Sequence, residues 1–329
     1  MAKGRATSRD VAERAGVSRA TVSYVLNKAA NQTIPPETQN RVRAAALELG
    51  YTPNAAAKAL RSARSQLVLL VIRDVAYARN IGLAVDRLAS LASTRGLSLV
   101  TWIATAEQPL SIALSHLQPR FVITFAAVTP DEDRTMTAAR IPFARHRIVA
   151  PEANLNDVAG VLQVRHLAEG GHRTVGVLTT EDGSLGMFAR PRLDGARRAC
   201  LELGLAAPLE ATVHVPPDGH VDEIVEILQA WRQGSRPVDG IVCYNDQIAA
   251  LAMAAARRLG LGVPDDVAII GVEDDPMAVL LDPPLTTVAI DMCVLADELW
   301  AAGLAAAGED APQSTGSAGV LRLVHRGST

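Results

Sequence analysis

The sequence predicts a small all-α head followed by a larger α/β body built on parallel sheets. Three observations support this fold class. Basic residues are concentrated near the start of the chain, apolar residues there recur at helical spacing, and the remainder alternates short apolar runs with amphipathic stretches. The chain has 329 residues, of which 49% are hydrophobic, and is therefore long enough for more than one domain with its own core.

The charge of the chain is divided unevenly. Residues 1–65 contain eleven Lys or Arg and four Asp or Glu, a charge of +7, whereas the whole chain carries −3. The remaining residues therefore carry −10. A basic head on an acidic body indicates a polyanionic partner for the head alone. A solvated basic tail is the alternative, but a disordered tail would lack the helical periodicity found here.

No segment predicts export or membrane insertion. The first residues are not followed by an apolar stretch of the signal-peptide type, no apolar run approaches the roughly 18 residues of a membrane span, and the run Leu67–Ile72 has the length of a strand. Cys200, Cys243 and Cys293 are odd in number and far apart, which predicts reduced cysteines in apolar surroundings without metal or redox spacing. We therefore expect a cytoplasmic protein.

Two short helices are predicted at the start of the head. Residues 7–10 have the form of a capping box, and Gly16 is suited to end the helix that follows. Ser18 is placed to cap a second helix, whose apolar stripe begins at Val22. Two helices joined by such a tight turn predict a helix-turn-helix, whose second helix enters the major groove of DNA. A third helix, at 36–49, would complete the core.

The outward face of the second helix supplies the candidate base-reading residues. Arg19 can bind guanine through two hydrogen bonds, and Ala20 can contact a thymine methyl group. Ser18 and Thr21, together with Ser8, are expected to hold phosphates. The candidate DNA-binding residues of the head are Thr7, Ser8, Ser18, Arg19, Ala20, Thr21, Ser23, Tyr24 and Asn27. The alternative, a helical bundle for protein contacts, does not explain the charge of +7.

The runs 10–27 and 49–57 resemble the head of the lactose-repressor (LacI/GalR) family of bacterial transcriptional regulators. The resemblance implies a repressor that binds a palindromic, double-stranded DNA operator as a homodimer and is associated with the nucleoid. The sequence departs from the family at Tyr24, where many members carry arginine, so the operator preference of other members does not transfer. No heptad pattern follows the last predicted strand, which favours a dimer over a tetramer.

A hinge is predicted at residues 53–65. Its alanine-rich segment is about two turns long, which is too short for a stable isolated helix, so we expect it to become helical only on DNA. The resemblance implies that Leu60 inserts into the minor groove and kinks the duplex, and that Asn54 and Ala57 also lie at the DNA. Alternatively, Leu60 packs on the body.

The body resembles the family's periplasmic-binding-protein-like (type I) domain, in which two lobes with parallel sheets enclose a cleft. Strands are expected at 67–72, 97–103, 121–125, 174–178, 240–244, 267–271 and 320–324, and helices at 81–95, 158–169, 192–203, 221–232, 247–259 and 292–306. The resemblance implies crossovers between the lobes near Leu155, Leu285 and Gly316. Lobe 1 would then comprise about 66–154 and 287–315, and lobe 2 about 155–286 and 316–329.

The resemblance also implies a small-molecule effector, which in open parallel sheets binds outside the carboxyl ends of the strands. Residues 192–195 fit the family's R-x-x-G motif, so Arg192 is the expected clamp on ligand hydroxyls or a carboxylate. The candidate effector-binding residues are Phe125, Arg145, Arg192, Asn245, Asp246 and Glu273. Alternatively, Arg192 is a solvated helix residue, and Asp274 and Asp275 only cap the next turn.

The pocket departs from the family in two ways. The Asn-Pro-Phe-Phe usually found after the first strand is missing, and aromatic residues make up only 3% of the chain. A platform for stacking a sugar is therefore poorly supplied. We expect either an effector other than an ordinary pyranose, such as an anion that meets Arg73, Arg145 or Arg192, or a degenerate pocket in a body that serves only as a dimerisation platform.

No motif indicates an enzyme. The sequence lacks G-x-S-x-G, a Walker A loop and H-E-x-x-H, and its seven histidines are scattered. We therefore expect no catalytic residues, no cofactor and no metal.

Overall fold

The computed structural model describes residues 6–26, 34–51, 65–73, 79–105, 107–125, 128–144, 154–313 and 319–329. The chain divides into two compact units, Met1–Gln66 and Leu67–Thr329, which we call the head and the body. The predicted hinge at 53–65 lies almost wholly outside the described residues, so its boundaries remain a prediction.

Among its described residues, the head has three helices, α1 (Ser8–Ala15), α2 (Arg19–Leu26) and α3 (Pro36–Glu48). The predicted capping box is present: the backbone N–H of Asp10 donates to Thr7 Oγ1, and the Asp10 carboxylate accepts from the backbone N–H of Thr7. The hydrogen bonds that the backbone N–H and the hydroxyl of Thr7 donate to the carboxylate lower the pKa of Asp10. The buried core residues are Val11, Ala12, Ala15, Val22, Val25, Val42, Ala45 and Ala46.

The turn between α1 and α2 depends on Gly16. Its φ of 64° lies in the left-handed region, which favours glycine, and its N–H donates to the carbonyl of Glu13. The next N–H, that of Val17, reaches back to the carbonyl of Ala12. This tight turn sets the angle at which α2 leaves α1.

The body alternates strands and helices. The strands are β1 (Leu67–Arg73), β2 (Ser98–Ala104), β3 (Phe121–Thr124), β4 (Val175–Thr179), β5 (Leu209–Thr212), β6 (Gly240–Cys243), β7 (Ala268–Glu273), β8 (Thr286–Ile290) and β9 (Leu321–Val324). The helices are α4 (Arg79–Thr94), α5 (Leu110–His116), α6 (Pro130–Ala138), α7 (Leu155–Glu169), α8 (Gly186–Glu202), α9 (Val221–Gln233), α10 (Asp246–Arg258) and α11 (Met292–Ala306).

The strands form two sheets. The first has the order β2-β1-β3, and the second has the order β5-β4-β6-β7-β8-β9. All pairs are parallel except β8 and β9, which are antiparallel. Strands β3, β4 and β6 are buried along their whole length, as expected for parallel sheets covered on both faces.

The chain returns from the second sheet to the first through α11. This helix follows β8, yet its Trp300 meets Phe121 of β3 edge-on, with ring centroids 5.4 Å apart. Gly303 permits the approach, because a Cβ there would lie 2.5 Å from the Phe121 ring. An exposed bidentate pair also joins Arg87 of α4 to Asp297 of α11. The crossover confirms the two-lobed α/β architecture of the body.

Several elements differ from the sequence-based expectations. Strands β5 and β8 and helices α5 and α6 were not expected, and α8 begins at Gly186 rather than at Arg192. The crossover expected near Leu285 follows Ile290 instead, because β8 pairs with β7 in the second sheet. The crossover expected near Gly316 lies outside the described residues.

One cysteine also differs from expectation. Cys200 and Cys243 are buried, as expected, and burial raises the pKa of both thiols. Cys293 is exposed instead, because it lies in the first turn of α11, where its N–H donates to the Asp291 carboxylate that caps the helix.

Candidate functional site

The N-terminus of α2 is held by Ser18. Its hydroxyl oxygen accepts from the backbone N–H of Thr21 at 3.1 Å and lies 2.9 Å from the Thr21 hydroxyl. Both hydroxyls therefore stand at the N-terminal end of α2, where an anion is favoured. Ser8 is half-buried in the first turn of α1 and Thr7 is exposed at its cap.

The predicted base-reading residues share the outward face of α2. Arg19 and Ala20 are exposed, Tyr24 is 41% exposed, and Ser23 is half-buried between them. The opposite face of α2, which carries Val22 and Val25, is buried in the core of the head. The helix therefore presents the residues that the sequence indicated.

Two arginines of the head differ in their surroundings. The guanidinium of Arg14 is bound to Glu48 of α3, with Nη2 2.8 Å from one carboxylate oxygen and 3.0 Å from the other. Within the part of the chain that the structure describes, no carboxylate pairs with Arg19. Arg19 is therefore available for a partner outside the chain, whereas Arg14 already has one inside it.

Four predicted DNA-binding residues and one predicted effector-binding residue lie outside the described residues: Asn27, Asn54, Ala57, Leu60 and Arg145. Their predicted roles stay predictions.

In the body, Arg192 lies among residues that follow the strands of the second sheet. It is 6% exposed, and its Nε donates to Asn156 Oδ1 at 3.0 Å while Nη1 donates to the carbonyl of Tyr244. Its Cζ lies 4.5 Å from the centroid of the Tyr244 ring, a cation–π contact. Glu273 approaches the same guanidinium, with Oε1 4.0 Å from Nη1. Arg192 is therefore buried and hydrogen-bonded within the fold, and it is not a solvated helix arginine.

The glycine of the R-x-x-G motif brings Arg192 to this position. A Cβ on Gly195 would lie 2.0 Å from the carbonyl oxygen of Asp157 on α7, and a Cβ on Gly160 of α7 would lie 2.0 Å from the carbonyl oxygen of Arg192. Helices α7 and α8 therefore cross at two glycines, nearly backbone to backbone. This close crossing brings Arg192 within reach of Asn156, which lies at the start of α7.

Glu273 ends β7 in an unusual backbone conformation. Its φ is 108° and that of Asp274 is 55°, both in the left-handed region that non-glycine residues rarely adopt. Such strain is often found at functional sites. Burial raises the pKa of Glu273, and the facing guanidinium of Arg192 opposes this shift.

Asn245 and Asp246 follow β6 and are both buried. Asn245 caps α10, because its Oδ1 accepts from the backbone N–H of Ile248 at 3.0 Å. Asp246 is 1% exposed; its carboxylate accepts from the Thr287 hydroxyl at 2.6 Å and from the backbone N–H of Asp275 at 2.7 Å. Burial raises the pKa of Asp246 to about 7, and both hydrogen bonds oppose this rise. Both side chains thus have partners within the fold.

Asp274 and Asp275 also have partners within the fold. Asp274 accepts from Arg326 at 2.6 Å, and Asp275 accepts from the backbone N–H of Met277 at 2.9 Å. These contacts match the alternative that the two residues are structural. Phe125 follows β3 at the carboxyl edge of the first sheet and is half-buried against the core of that lobe.

We call the residues around Arg192 at the ends of β6 and β7 the effector wall. Sequence analysis did not predict three of them. Asn156 and Tyr244 bind Arg192, and Gln163 of α7 binds the ends of β6 and β7. Tyr244 was detectable, because it is the last apolar residue before the Asn245-Asp246 pair. Asn156 and Gln163 both lie on α7. Asn156 contacts the side chain of Arg192 on α8, and Gln163 contacts main-chain carbonyls at the ends of β6 and β7. No spacing in the sequence indicates these contacts.

The described residues contain no group of three or more His, Cys, Asp or Glu side chains placed to hold a metal ion. Among the described helices, none is both long and apolar enough to cross a membrane.

Two protein-family models match the chain. Residues 7–54 match the bacterial regulatory proteins of the lacI family, and residues 164–329 match the periplasmic binding protein-like domain. The first match covers α1, α2 and α3 of the head, and the second covers β4 to β9 of the second sheet together with Arg192, Tyr244 and Glu273.

Known proteins resemble the chain along nearly its whole length. The transcriptional regulator GalS of Salmonella typhimurium is 32% identical over 318 residues, which cover 91% of this chain and 90% of GalS. The regulator GalR of Escherichia coli is 30% identical over 316 residues, covering 92% and 89%.

Solved structures show the same fold. The lac repressor dimer bound to operator and the anti-inducer ONPF has a TM-score of 0.74 at 24% identity, with 98% of each chain covered. The regulator CelR in complex with cellobiose has a TM-score of 0.64 at 24% identity, covering 99% of this chain and 100% of CelR. The chain belongs to the lacI family of bacterial regulatory proteins and is a DNA-binding transcriptional regulator, not an enzyme.

Proposed function

We propose that the chain is a homodimeric repressor that reads a palindromic operator with α2 and whose operator affinity changes when a small ligand binds in the body. The observation that carries the DNA-binding part is the outward face of α2. Arg19, Ala20 and Tyr24 are exposed there, and Arg19 has no described carboxylate partner, although the same head pairs Arg14 with Glu48. An arginine without a described carboxylate partner, placed at the start of a recognition helix, is suited to guanine in the major groove.

A palindromic operator follows from a two-fold dimer, because each head then reads one half-site. The lac repressor was crystallised as a dimer bound to operator. We propose the same assembly for this chain, in the cytoplasm and in contact with nucleoid DNA. In this proposal Thr7, Ser8, Ser18 and Thr21 contact phosphates, and Asn27, Asn54 and Ala57 lie along the DNA.

Leu60 is proposed to act as a wedge in the minor groove at the centre of the operator. This role comes from the family resemblance of the hinge, and its test is direct. Leu60→Gly should reduce operator bending and specific affinity while the body stays folded. A bend angle equal to that of the unaltered protein would contradict the wedge.

For the effector, we propose a neutral, hydrogen-bonding ligand that contacts Arg192 and Glu273 at the carboxyl edge of the second sheet. The charge of Arg192 is already opposed by Glu273, and its Nε and Nη1 are directed at Asn156 and the Tyr244 carbonyl. An anion would have to compete with that carboxylate. Asn245 and Asp246 shape the wall from behind, and Phe125 and Arg145 are proposed contacts from lobe 1.

This arrangement favours hydroxyl groups over the anionic effector considered from the sequence. A pair such as Arg192 and Glu273 offers both a donor and an acceptor to a polyhydroxy compound. The relative CelR was crystallised with cellobiose, a neutral sugar. The poor supply of aromatic residues remains unfavourable for a stacked pyranose ring.

The second candidate is a regulator whose body only dimerises. One observation favours it: Arg192 is 6% exposed and is already bound by Asn156, Tyr244 and Glu273. An arginine with so many partners inside the fold needs no ligand to satisfy it.

Calorimetric titration of the full chain separates these candidates. The panel should contain matched pairs, each a neutral sugar or polyol with its phosphate ester or its acid. The proposal predicts binding of a neutral member and a change of operator affinity in its presence. Tighter binding of the charged member of that pair would contradict a neutral effector, and a panel without any binder would favour the dimerisation platform.

A matched pair of variants locates the ligand. Arg192→Gln should abolish binding, because it removes the charged donor of the wall. Arg197→Ala on the same helix should leave binding unchanged, because Arg197 is exposed and pairs with Glu210 and Asp194 instead.

A further inference from the structure

Gln163 of α7 joins the ends of two strands behind the effector wall. Its side chain is fully buried, and its Nε2 lies within hydrogen-bonding distance of three main-chain carbonyls. These are the carbonyls of Cys243 at 2.9 Å, Gly271 at 3.1 Å and Ile270 at 3.2 Å. The registered pairing of β6 with β7 ends at Ile270, so the amide connects the strands beyond the end of their ladder.

The orientation of this amide is determined by its surroundings. If the side chain were flipped, Oε1 would face three carbonyl oxygens, none of which can donate a hydrogen bond. Nε2 therefore occupies the strand side, and Oε1 is the polar atom left on the other side of the amide.

Oε1 is the unusual atom. It is buried, and among the described residues no donor forms a hydrogen bond with it. Buried side-chain acceptors are nearly always paired, either with protein donors or with ordered water, because an unpaired one loses its hydration without compensation.

A small cavity lies beside Gln163, between α7, α8, β4 and β6. Its volume is about 10 Å³, measured as the space open to the centre of a water molecule, and this is about what one water requires. Its wall includes the polar residues Gln163, Thr179 and Arg192 and the apolar residues Val177, Ala189 and Val242. A water needs two or more polar partners, and this wall provides them.

We propose that this cavity is a binding site for one ordered water molecule, which donates a hydrogen bond to Gln163 Oε1 and accepts one from Arg192 or Thr179. The water is then a fixed part of the wall beneath Arg192. It connects the guanidinium to the amide that holds the ends of β6 and β7 together.

A double-mutant cycle tests the site in solution. Ala189→Val fills the cavity and excludes the water, which leaves Oε1 buried and unpaired. In the Gln163→Met background the Oε1 acceptor is absent, so excluding the water leaves no acceptor unpaired. Ala189→Val should then lower the stability of the body less, or should raise it. All three tryptophans, Trp102, Trp231 and Trp300, lie in the body, so their fluorescence in a urea titration reports on its unfolding.

The expected result is a positive coupling: Ala189→Val lowers the urea midpoint of the unaltered chain more than that of Gln163→Met. Strain from valine that does not involve residue 163 is the same in both backgrounds and cancels. Equal shifts in the two backgrounds would overturn the proposal, because the cavity would then be dry.

A crystal structure of the unaltered full chain gives a second, independent reading. It should show one ordered water within hydrogen-bonding distance of Gln163 Oε1. A protein donor on that atom, or a cavity without density, would contradict the site. Neither experiment uses an effector, so its failure leaves the effector proposal standing, and failure of the effector proposal leaves the water site standing.

Discussion

The guanidinium of Arg192 lies over the ring of Tyr244, with Cζ 4.5 Å from the ring centroid, while Nη1 of the same arginine donates to the Tyr244 carbonyl. One residue therefore holds the arginine by both its ring and its main chain. Because Tyr244 directly follows β6, the position of Arg192 depends on the end of that strand and on the crossing of α7 with α8.

The ring of Tyr244 should be more important than its hydroxyl. Tyr244→Ala removes a buried ring and the cation–π contact and should lower the free energy of unfolding by about 3–5 kcal/mol, as for other large aromatic side chains. Tyr244→Phe keeps the ring and should cost much less. Urea denaturation followed by tryptophan fluorescence measures both. Equal losses in the two variants would show that the stacked ring is not what stabilises the wall.

Gly195 should tolerate no side chain. A Cβ there would lie 2.0 Å from the carbonyl oxygen of Asp157, so Gly195→Ala must push α7 and α8 apart, and we expect a loss of about 1–3 kcal/mol, as for overpacking in a core. Gly82→Ala is the matched control: it also lies in a helix, α4, but with open space around it, and should stabilise by about 0.5–1 kcal/mol. Destabilisation by Gly82→Ala as large as that by Gly195→Ala would mean that the close crossing is not the cause.

Asp246 should make the stability of the body depend on pH. Burial raises the pKa of this carboxyl from 3.8 to about 7 in the folded protein, so the folded state keeps a proton that the unfolded chain loses. Its contribution is complete below about pH 4 and is lost as the pH rises towards 7. The free energy of unfolding should therefore fall over that range, by at most about 1.4 kcal/mol per pH unit.

Asp246→Asn isolates this effect. Asparagine does not titrate, so the difference in stability between the unaltered chain and the variant should shrink from pH 4 to pH 7. Asparagine replaces one carboxylate oxygen by an NH2 group, so one of the two hydrogen bonds to Thr287 and Asp275 changes at every pH, which adds a constant offset. Contributions from Asp182, whose pKa is lowered, cancel in the difference. A difference that is constant across the range would contradict the raised pKa.

Substitutions of Arg19 and Arg14 should affect different properties: that of Arg19 the sequence specificity of DNA binding, and that of Arg14 the stability of the head. Arg19→Ala should lower affinity for the selected operator by about 1–3 kcal/mol and relax the preference at one position of each half-site. Arg14→Ala breaks only the exposed pair with Glu48 and should cost the head about 0–1 kcal/mol without changing the sequence preference. Titration of labelled duplexes measures both variants. If Arg14→Ala altered the preferred base and Arg19→Ala did not, the assignment of the reading face would be wrong.

The head followed from the sequence because its signals are local. The capping box at Thr7, the left-handed Gly16 and the cap at Ser18 each act within a few residues, and all three are present. In the body, α8 was expected to begin at Arg192, but it begins at Gly186 and contains Pro191 in its interior. The edge strand β5 was missed because its four residues alternate between half-buried and exposed, which leaves no apolar run.

The effector wall was predicted only in part because its contacts join distant residues. The R-x-x-G motif indicated Arg192, but the role of Gly195 appears only when α7 is placed against α8. Asn245 and Asp246 were identified as polar residues at a strand end, and the sequence could not show that their oxygens are already bound to Ile248, Thr287 and Asp275. Such pairing depends on the three-dimensional approach of β6, β7 and β8.

Selection of random duplexes on the purified full chain, at two salt concentrations, tests the central claim most directly. An operator-reading dimer should enrich a palindromic motif whose half-sites are about one to two helical turns apart, and the motif should persist at the higher salt concentration. Binding that weakens with salt and enriches no motif would mean that the head attracts DNA by charge alone, and sequence-specific repression would have to be abandoned.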